Sequence, residues 1–160
     1  MTLTLRAYVP ADCAACWALF HRAVQIGARD HYDQAQRDAW SPAPPEPTPE
    51  RCQRLEQAHT LVACIQDAIA GFMTLETDGH LDMAFVAPEQ MRRGIATALH
   101  GGLLDIARDH GLTHLTADAS LLAQPFLTRR GWRVIGRETV RRNGIALPRF
   151  RMDLTLETTP

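Results

Sequence analysis

The sequence predicts a single α/β domain in which a mixed sheet carries helices on both faces. Short apolar runs that alternate with period two are interleaved with longer runs of helical period, in the order β-α-α-β-β-β-α-β-α-β-β. A chain of 160 residues holds one sizeable core but not two. No internal repeat breaks the pattern, and the proline-rich stretch 41–49 is the one compositionally biased segment.

The elements follow in order. Leu3 to Tyr8 alternates as a strand, and Pro10, Ala11 and Asp12 open a helix that runs to about Gln25. His31 to Ala39 forms a second short helix ending at Trp40. Five of the ten prolines fall in 41–49, so this stretch is neither helix nor inner strand. Thr48 then caps a helix that begins at Pro49 and ends near Gln57. Thr60 to Gln66 and Ile69 to Glu76 are strands of a hairpin turning at Asp67 and Ala68, and a second turn at Asp78 and Gly79 leads into another strand. There Leu81, Met83 and Phe85 share one half-buried face until Pro88. Ile95, Ala98, Leu99, Gly102, Leu103 and Ile106 recur at helical spacing, with Gly111 as the stop. Residues 114–132 supply a strand, a short helix opening near Ala123 and a break at Gly131 before Trp132. Asn143-Gly144 is a type I′ turn signal between strands Val134 to Val140 and Phe150 to Leu156.

Composition narrows the partners. Seventeen Lys and Arg against 18 Asp and Glu leave no positive field for nucleic acid or an anionic membrane. The apolar runs are too short for a membrane span and no leader-like segment opens the chain, so the expected location is cytoplasmic. A homodimer is compatible with this composition. Of the four cysteines, Cys13 and Cys16 have C-x-x-C spacing but lie on a helical pattern without a second pair. They read as core or half-buried thiols, and no metal site is expected.

The segment that carries chemistry is the strand-turn-helix at 81–107. Its turn, Arg92, Arg93, Gly94, Ile95 and Ala96, sets free backbone N–H groups and the positive end of a helix beside two guanidinium groups, which suits a diphosphate. An ordinary connection with solvated arginines is the alternative reading of such a turn by itself.

Taken with the downstream segment, this region resembles the coenzyme A signature of the GNAT acetyltransferase superfamily. Val86, Pro88, Gly94 and Ala96 fit the family's Val-x-Pro and Arg/Gln-x-x-Gly-x-Gly/Ala, with Met91 in the place of the first Arg or Gln. Phe126, Gly131 and Trp132 fit the later Phe-Tyr-x-x-x-Gly-Phe, with Leu127 where relatives often have a tyrosine acid. The resemblance implies a mostly antiparallel sheet of about seven strands, splayed between the fourth and fifth to admit pantetheine, with about four flanking helices. It implies acetyl-coenzyme A as cofactor, held at Met91, Arg92, Arg93, Gly94, Ile95, Ala96 and Thr97. Backbone groups near Phe85 and Val86 would meet the acetyl and pantetheine portion, and Ser120, Phe126 and Arg129 would complete the set.

Acetyl transfer to an amine also needs a base and an acid. Asp82, on the face opposite Met83 and Phe85, is the expected base through a water, with His80, His31 and Glu76 in reserve. A carboxylate satisfied by a neighbouring element is the alternative. Ser120 is read as a cofactor contact and proton relay, or as the cap of the helix near Ala123. Tyr32, Gln36 and Trp40 fall at i, i+4 spacing on one helix face in the region where the family binds its acceptor. They are expected, with His80, to line the acceptor pocket, and the Tyr32 phenol is expected to supply the proton absent at Leu127. The expected activity is direct transfer of an acetyl group to a primary amine of a small molecule. A non-catalytic acyl-coenzyme A sensor is the rival reading. No P-loop or G-x-S-x-G elbow points elsewhere.

Overall fold

The computed structural model describes residues 2–157. Seven strands form one sheet: β1 (Leu3–Ala7), β2 (His59–Ile65), β3 (Ala68–Leu75), β4 (His80–Val86), β5 (His114–Ala119), β6 (Arg133–Arg142) and β7 (Ile145–Thr155). Their spatial order is β1-β2-β3-β4-β5-β7-β6, and every neighbouring pair is antiparallel except β4 and β5. The helices are α1 (Cys13–Arg22), α2 (Gln34–Trp40), α3 (Pro49–Gln57), α4 (Ile95–Asp109) and α5 (Ala123–Arg129), five rather than about four.

Two apolar layers hold the sheet. On one face α4 packs through Ile95, Leu99 and Leu103 against Met73, Leu75 and Leu115. Gly102 lets α4 come close, because a Cβ there would lie 2.6 Å from the Leu61 side chain. On the other face α1 and α3 bury Trp17, Leu19 and Leu55 against Val62, Phe72 and Met83. Burying side chains of this kind contributes about 1.5–3 kcal/mol each. The hairpin signal at Asn143-Gly144 is realised, with φ of 52° and 77°.

β4 and β5 pair only at His80↔Thr116 and Leu81↔Ala117. Beyond these two positions the strands part, and one edge of β4 lies open. Two parallel strands without further pairing leave a wedge between them, which is the expected splay.

Several boundaries differ from the sequence reading for identifiable reasons. The helix after β1 begins as a 3₁₀ turn at Pro10–Asp12 and continues past Arg22 as a π-helical turn, Ala23–Gly27. α2 starts at Gln34 because Asp33 caps it, its carboxylate accepting from the Gln36 N–H at 2.8 Å. Tyr32 therefore precedes the helix and is not on its face. The β2–β3 turn falls at Gln66 and Asp67, both at positive φ, one residue earlier than expected. β7 begins at Ile145, well before Phe150. Cys13 is not a free core thiol: it forms a disulfide with Cys52, tying α1 to α3, while Cys16 and Cys64 are free and buried. Sequence spacing cannot show a pairing between residues 39 apart on two different helices.

The correction that matters most is in β4. Thr74 pairs with Met83 and Leu75 with Leu81, so Asp82 is an extra residue in the ladder. One extra residue swaps faces. Leu81 packs in the α4 layer while Met83 and Phe85 pack on the α1 side. The Asp82 carboxylate meets Arg54 of α3 on that same α1 side, not the face opposite Met83 and Phe85.

Candidate active site

The wedge widens into a cavity of about 250 Å³ lined by β4, β5, the β6–β7 hairpin and the α1–α3 side. Its opened strand edge is made of backbone. Ala87 donates to the Ala70 carbonyl at 2.8 Å, so in an antiparallel ladder Phe85 and Met83 bond toward β3 while Ala84 and Val86 direct their N–H groups into the wedge. Ala84 is a donor that the sequence reading passed over. Alternation from a fixed ladder bond is what identifies it.

In the turn that follows β4, Gly94 forms the N-cap of α4 at φ 81°, and Arg92 also adopts positive φ, 64°. A Cβ on Gly94 would meet nothing within 4 Å, so the residue borders open space. The free N–H groups of the first turn of a fifteen-residue helix face that space. The expected residues Arg92, Arg93, Gly94 and Thr97 are exposed there, Met91 and Ala96 are half-buried, and Ile95 is buried in the core. Arg93 lies near Gln90, at 3.5 Å. Arg130, not foreseen, hydrogen-bonds the Thr97 hydroxyl and stacks its guanidinium 3.8 Å from the Phe126 ring centre, joining α5 to the start of α4. Its neighbour Arg129 is exposed on α5. An open β4 edge with unpartnered donors, continuous with an anion-compatible turn, fits an extended amide-bearing chain that ends in a diphosphate.

Below this turn His100 is buried on α4 and accepts from the Trp132 indole N–H at 3.0 Å. Burial pushes its pKa down to about 4, with the nearby Arg130 charge acting in the same direction, so it is a neutral acceptor.

At the inner end of the cavity two carboxylates have different company. Asp82 takes a bidentate bond from Arg54, at 2.8 and 2.9 Å, and Arg54 in turn lies over the Trp17 ring. Both its oxygens are occupied. Asp118 is more open, 3.5 Å from His80 Nε2 and 3.7 Å from Arg149, which also binds Glu138 at 2.5 Å. His80 Nδ1 is hydrogen-bonded to the Thr116 hydroxyl at 2.8 Å. Of the other reserves, His31 is exposed in the connection before α2. Glu76 is half-buried at the end of β3 and held above the usual carboxylate range, chiefly by burial and then by Asp82.

Phe20, Phe85, Trp40 and Tyr32 form a chain of ring contacts with centroids 5.0–6.4 Å apart along one wall. Tyr32 meets Trp40, as expected from sequence, though not as a neighbour on one helix. Its hydroxyl donates to the Pro148 carbonyl at 2.7 Å and accepts from Leu121 N–H at 3.0 Å. Burial raises its pKa. Gln36 is committed to the Ala146 carbonyl at 3.1 Å and does not line the cavity. Ser120 lines it, its oxygen accepting from Ala123 N–H at 3.0 Å, which is the capping use weighed from sequence. Leu127 is buried beside it. Arg54, Arg142 and Arg149 reach the cavity from elements far apart in sequence, and no local pattern marks them.

Among the described residues no cluster of three or more His, Cys, Asp or Glu could hold a metal ion, and no helix is long and apolar enough to cross a membrane.

Comparison with known proteins agrees with this geometry. The profile described as acetyltransferase (GNAT) domain matches residues 28–154. The chain is 33% identical over 150 residues to the uncharacterized N-acetyltransferase YafP of Escherichia coli K12, covering 94% of each. It is also 33% identical to a GCN5-related N-acetyltransferase crystal structure from Rhodopseudomonas palustris, with a TM-score of 0.90 over 98% of this chain and 97% of that one. A Salmonella typhimurium acetyltransferase, yncA, solved with acetyl-CoA, shares the fold at 19% identity and a TM-score of 0.73, covering 100% of this chain and 97% of that one.

Proposed function

Because the chain belongs to the GNAT acetyltransferase family, we propose that the cavity carries out acetyl transfer from acetyl-CoA directly to the primary amine of a small molecule. The carrying observation is the unpaired β4 edge. It presents Ala84 and Val86 N–H groups to the wedge between β4 and β5, which leads into a pocket of ionisable and aromatic side chains. Bound acetyl-CoA supplies the activated thioester carbonyl. The Gly94 turn and Thr97 hold its diphosphate end, with Met91, Arg92, Arg93 and Ala96 around them and Phe126 and Arg129 on the adjoining helix. The β4 donors take the amide chain and the developing negative charge on the carbonyl oxygen.

His80 accepts the amine proton. With Nδ1–H donating to Thr116, Nε2 is the acceptor facing the cavity, and Asp118 stabilises the imidazolium that forms. Asp82, the base expected from sequence, would first have to release Arg54. Its pair instead fixes the charge at the inner wall, and it is the reserve acceptor through water. Ser120 keeps its O–H proton available while its oxygen is held by Ala123 N–H, which suits it to relay a proton to the leaving thiolate. Tyr32 would have to break its bond to Pro148 to do so. It sets the wall of the acceptor pocket with Trp40.

Steady, amine-dependent release of thiol from acetyl-CoA tests the reading. Binding of acetyl-CoA without such release for any member of an amine library would overturn it in favour of a non-catalytic sensor.

A further inference from the structure

We infer that the acceptor carries an anionic group, a carboxylate, at the end remote from the amine that is acetylated, and that Arg142 receives it. The inference rests on the transferase reading and names the substrate class for the same cavity.

The cavity's charges leave one cation over. Arg54 is matched by Asp82 through two hydrogen bonds. Arg149 is matched by Glu138 and Asp118. Arg142 also lines the cavity, yet among the described residues it lies within ion-pair distance of no carboxylate. Arg142 is exposed at the hairpin tip, on the rim of the cavity, and without a fixed partner its planar fork of donors is free for a carboxylate that enters there.

Position gives the length of the ligand. His80 sits where β4 and β5 are still paired, at the closed end of the wedge. Arg142 is the last residue of β6, paired with Ile145 at the hairpin tip, while Phe150 further along β7 pairs with Ala119 of β5. The two residues thus bound opposite ends of the cavity. Between them lie Trp40, Tyr32 and Leu147, an apolar stretch that would cover the middle of the acceptor. The amine end meets Asp118 and His80, and the acid end meets Arg142. The diphosphate of the cofactor is assigned to the Gly94 turn at the start of α4, so Arg142 is not needed for it.

The test uses three acceptors of one shape: benzylamine, 4-(aminomethyl)benzoate and its neutral isostere 4-(aminomethyl)benzamide. With saturating acetyl-CoA, thiol release by the wild type should give a kcat/KM for the carboxylate at least about tenfold above the amide, the scale of a hydrogen bond to a charged group. R142Q should bring that ratio to about one and R142E should invert it, both with the KM for acetyl-CoA unchanged. A wild-type ratio near one, or an R142Q effect confined to the KM of acetyl-CoA, rejects the inference while leaving the transferase reading intact. Failure of all three amines in an enzyme that acetylates another member of the amine library rejects the inference alone, and failure with the whole library, with acetyl-CoA still bound, rejects both.

Discussion

The two ends of the cavity are built from different materials. The end proposed to hold the cofactor is made of backbone: the unpaired edge of β4, the left-handed Gly94 and the first turn of α4. The acceptor end is made of side chains delivered by α1, α3, β5, β6 and β7, held in place by ion pairs and ring contacts. Backbone recognition depends on strand pairing and φ, so it tolerates changes such as Met91 for the family's Arg or Gln. Side-chain recognition depends on identity at each position. The first end is suited to one constant cosubstrate, and the second can vary with the acceptor without disturbing the fold.

Removing the base at the acceptor end should give the largest effect. His80→Gln should retain the fold and acetyl-CoA affinity while kcat falls about 10²–10⁴-fold, the usual loss for a general base. Asp82→Asn should cost less, because it releases Arg54 rather than removing the acceptor of the proton. A greater rate loss in Asp82→Asn than in His80→Gln would return the base to Asp82.

A substitution at the cofactor end should separate binding from chemistry. Gly94→Val places a β-branched residue at φ 81° and a side chain in the open space beside the helix N-terminus. Strain of about 1–3 kcal/mol alone corresponds to roughly a five- to hundredfold loss of coenzyme A affinity, provided the strained turn is the one that binds. Calorimetry showing unchanged affinity would remove the turn from the site.

How far each end could be read from sequence follows from the same contrast. Glycine, proline and hydrophobic period report backbone geometry locally, so Gly94, the α4 stripe and the Asn143-Gly144 hairpin were legible, and much of the family motif is of this kind: Pro88, Gly94 and Gly131. The register skip at Asp82 was not legible. The Leu81, Met83, Phe85 alternation is intact in the sequence, and only pairing with β3 shows that Asp82 is an added residue that moves its own carboxylate to Arg54. Arg54 and Arg142 are equally silent, since their roles depend on α3 and the β6–β7 hairpin bordering one cavity with β4 and β5 across long stretches of chain. Tyr32 and Trp40 were found through a spacing argument that the structure replaces: Asp33 starts the helix after Tyr32, and the rings meet because the chain turns there.

Tyr32→Phe gives a smaller, discriminating effect at the acceptor wall. Losing the bonds to Pro148 and Leu121 should lower stability by about 1–3 kcal/mol, the net value of two hydrogen bonds at about 0.5–1.5 kcal/mol each. Turnover should change little, with the KM for the acceptor rising as the β7 wall loosens. A large fall in kcat with stability preserved would make the phenol the proton donor after all.

The smallest effect is expected under the cofactor turn and is read through pH. His100 has its folded-state pKa depressed to about 4 from 6.5, so between these values the unfolded chain binds the extra proton and the folded chain does not. Stability therefore rises with pH through that window, and falls as pH drops from about 6.5 toward 4. At about pH 5.5 the deficit for one such histidine is about 1 kcal/mol, which displaces the melting temperature by roughly 2–4 °C. His100→Gln retains an acceptor for the Trp132 indole and removes the titration. Its melting temperature should drop less between about pH 7 and pH 5.5 than that of the wild type, while carboxylates such as Asp12 and Asp153, held low by Arg6 and Arg133, affect both proteins alike at lower pH. Equal drops in the two proteins would mean that His100 gains its proton without cost in the folded state. The buried bond to Trp132 would then open in acid more easily than its packing implies.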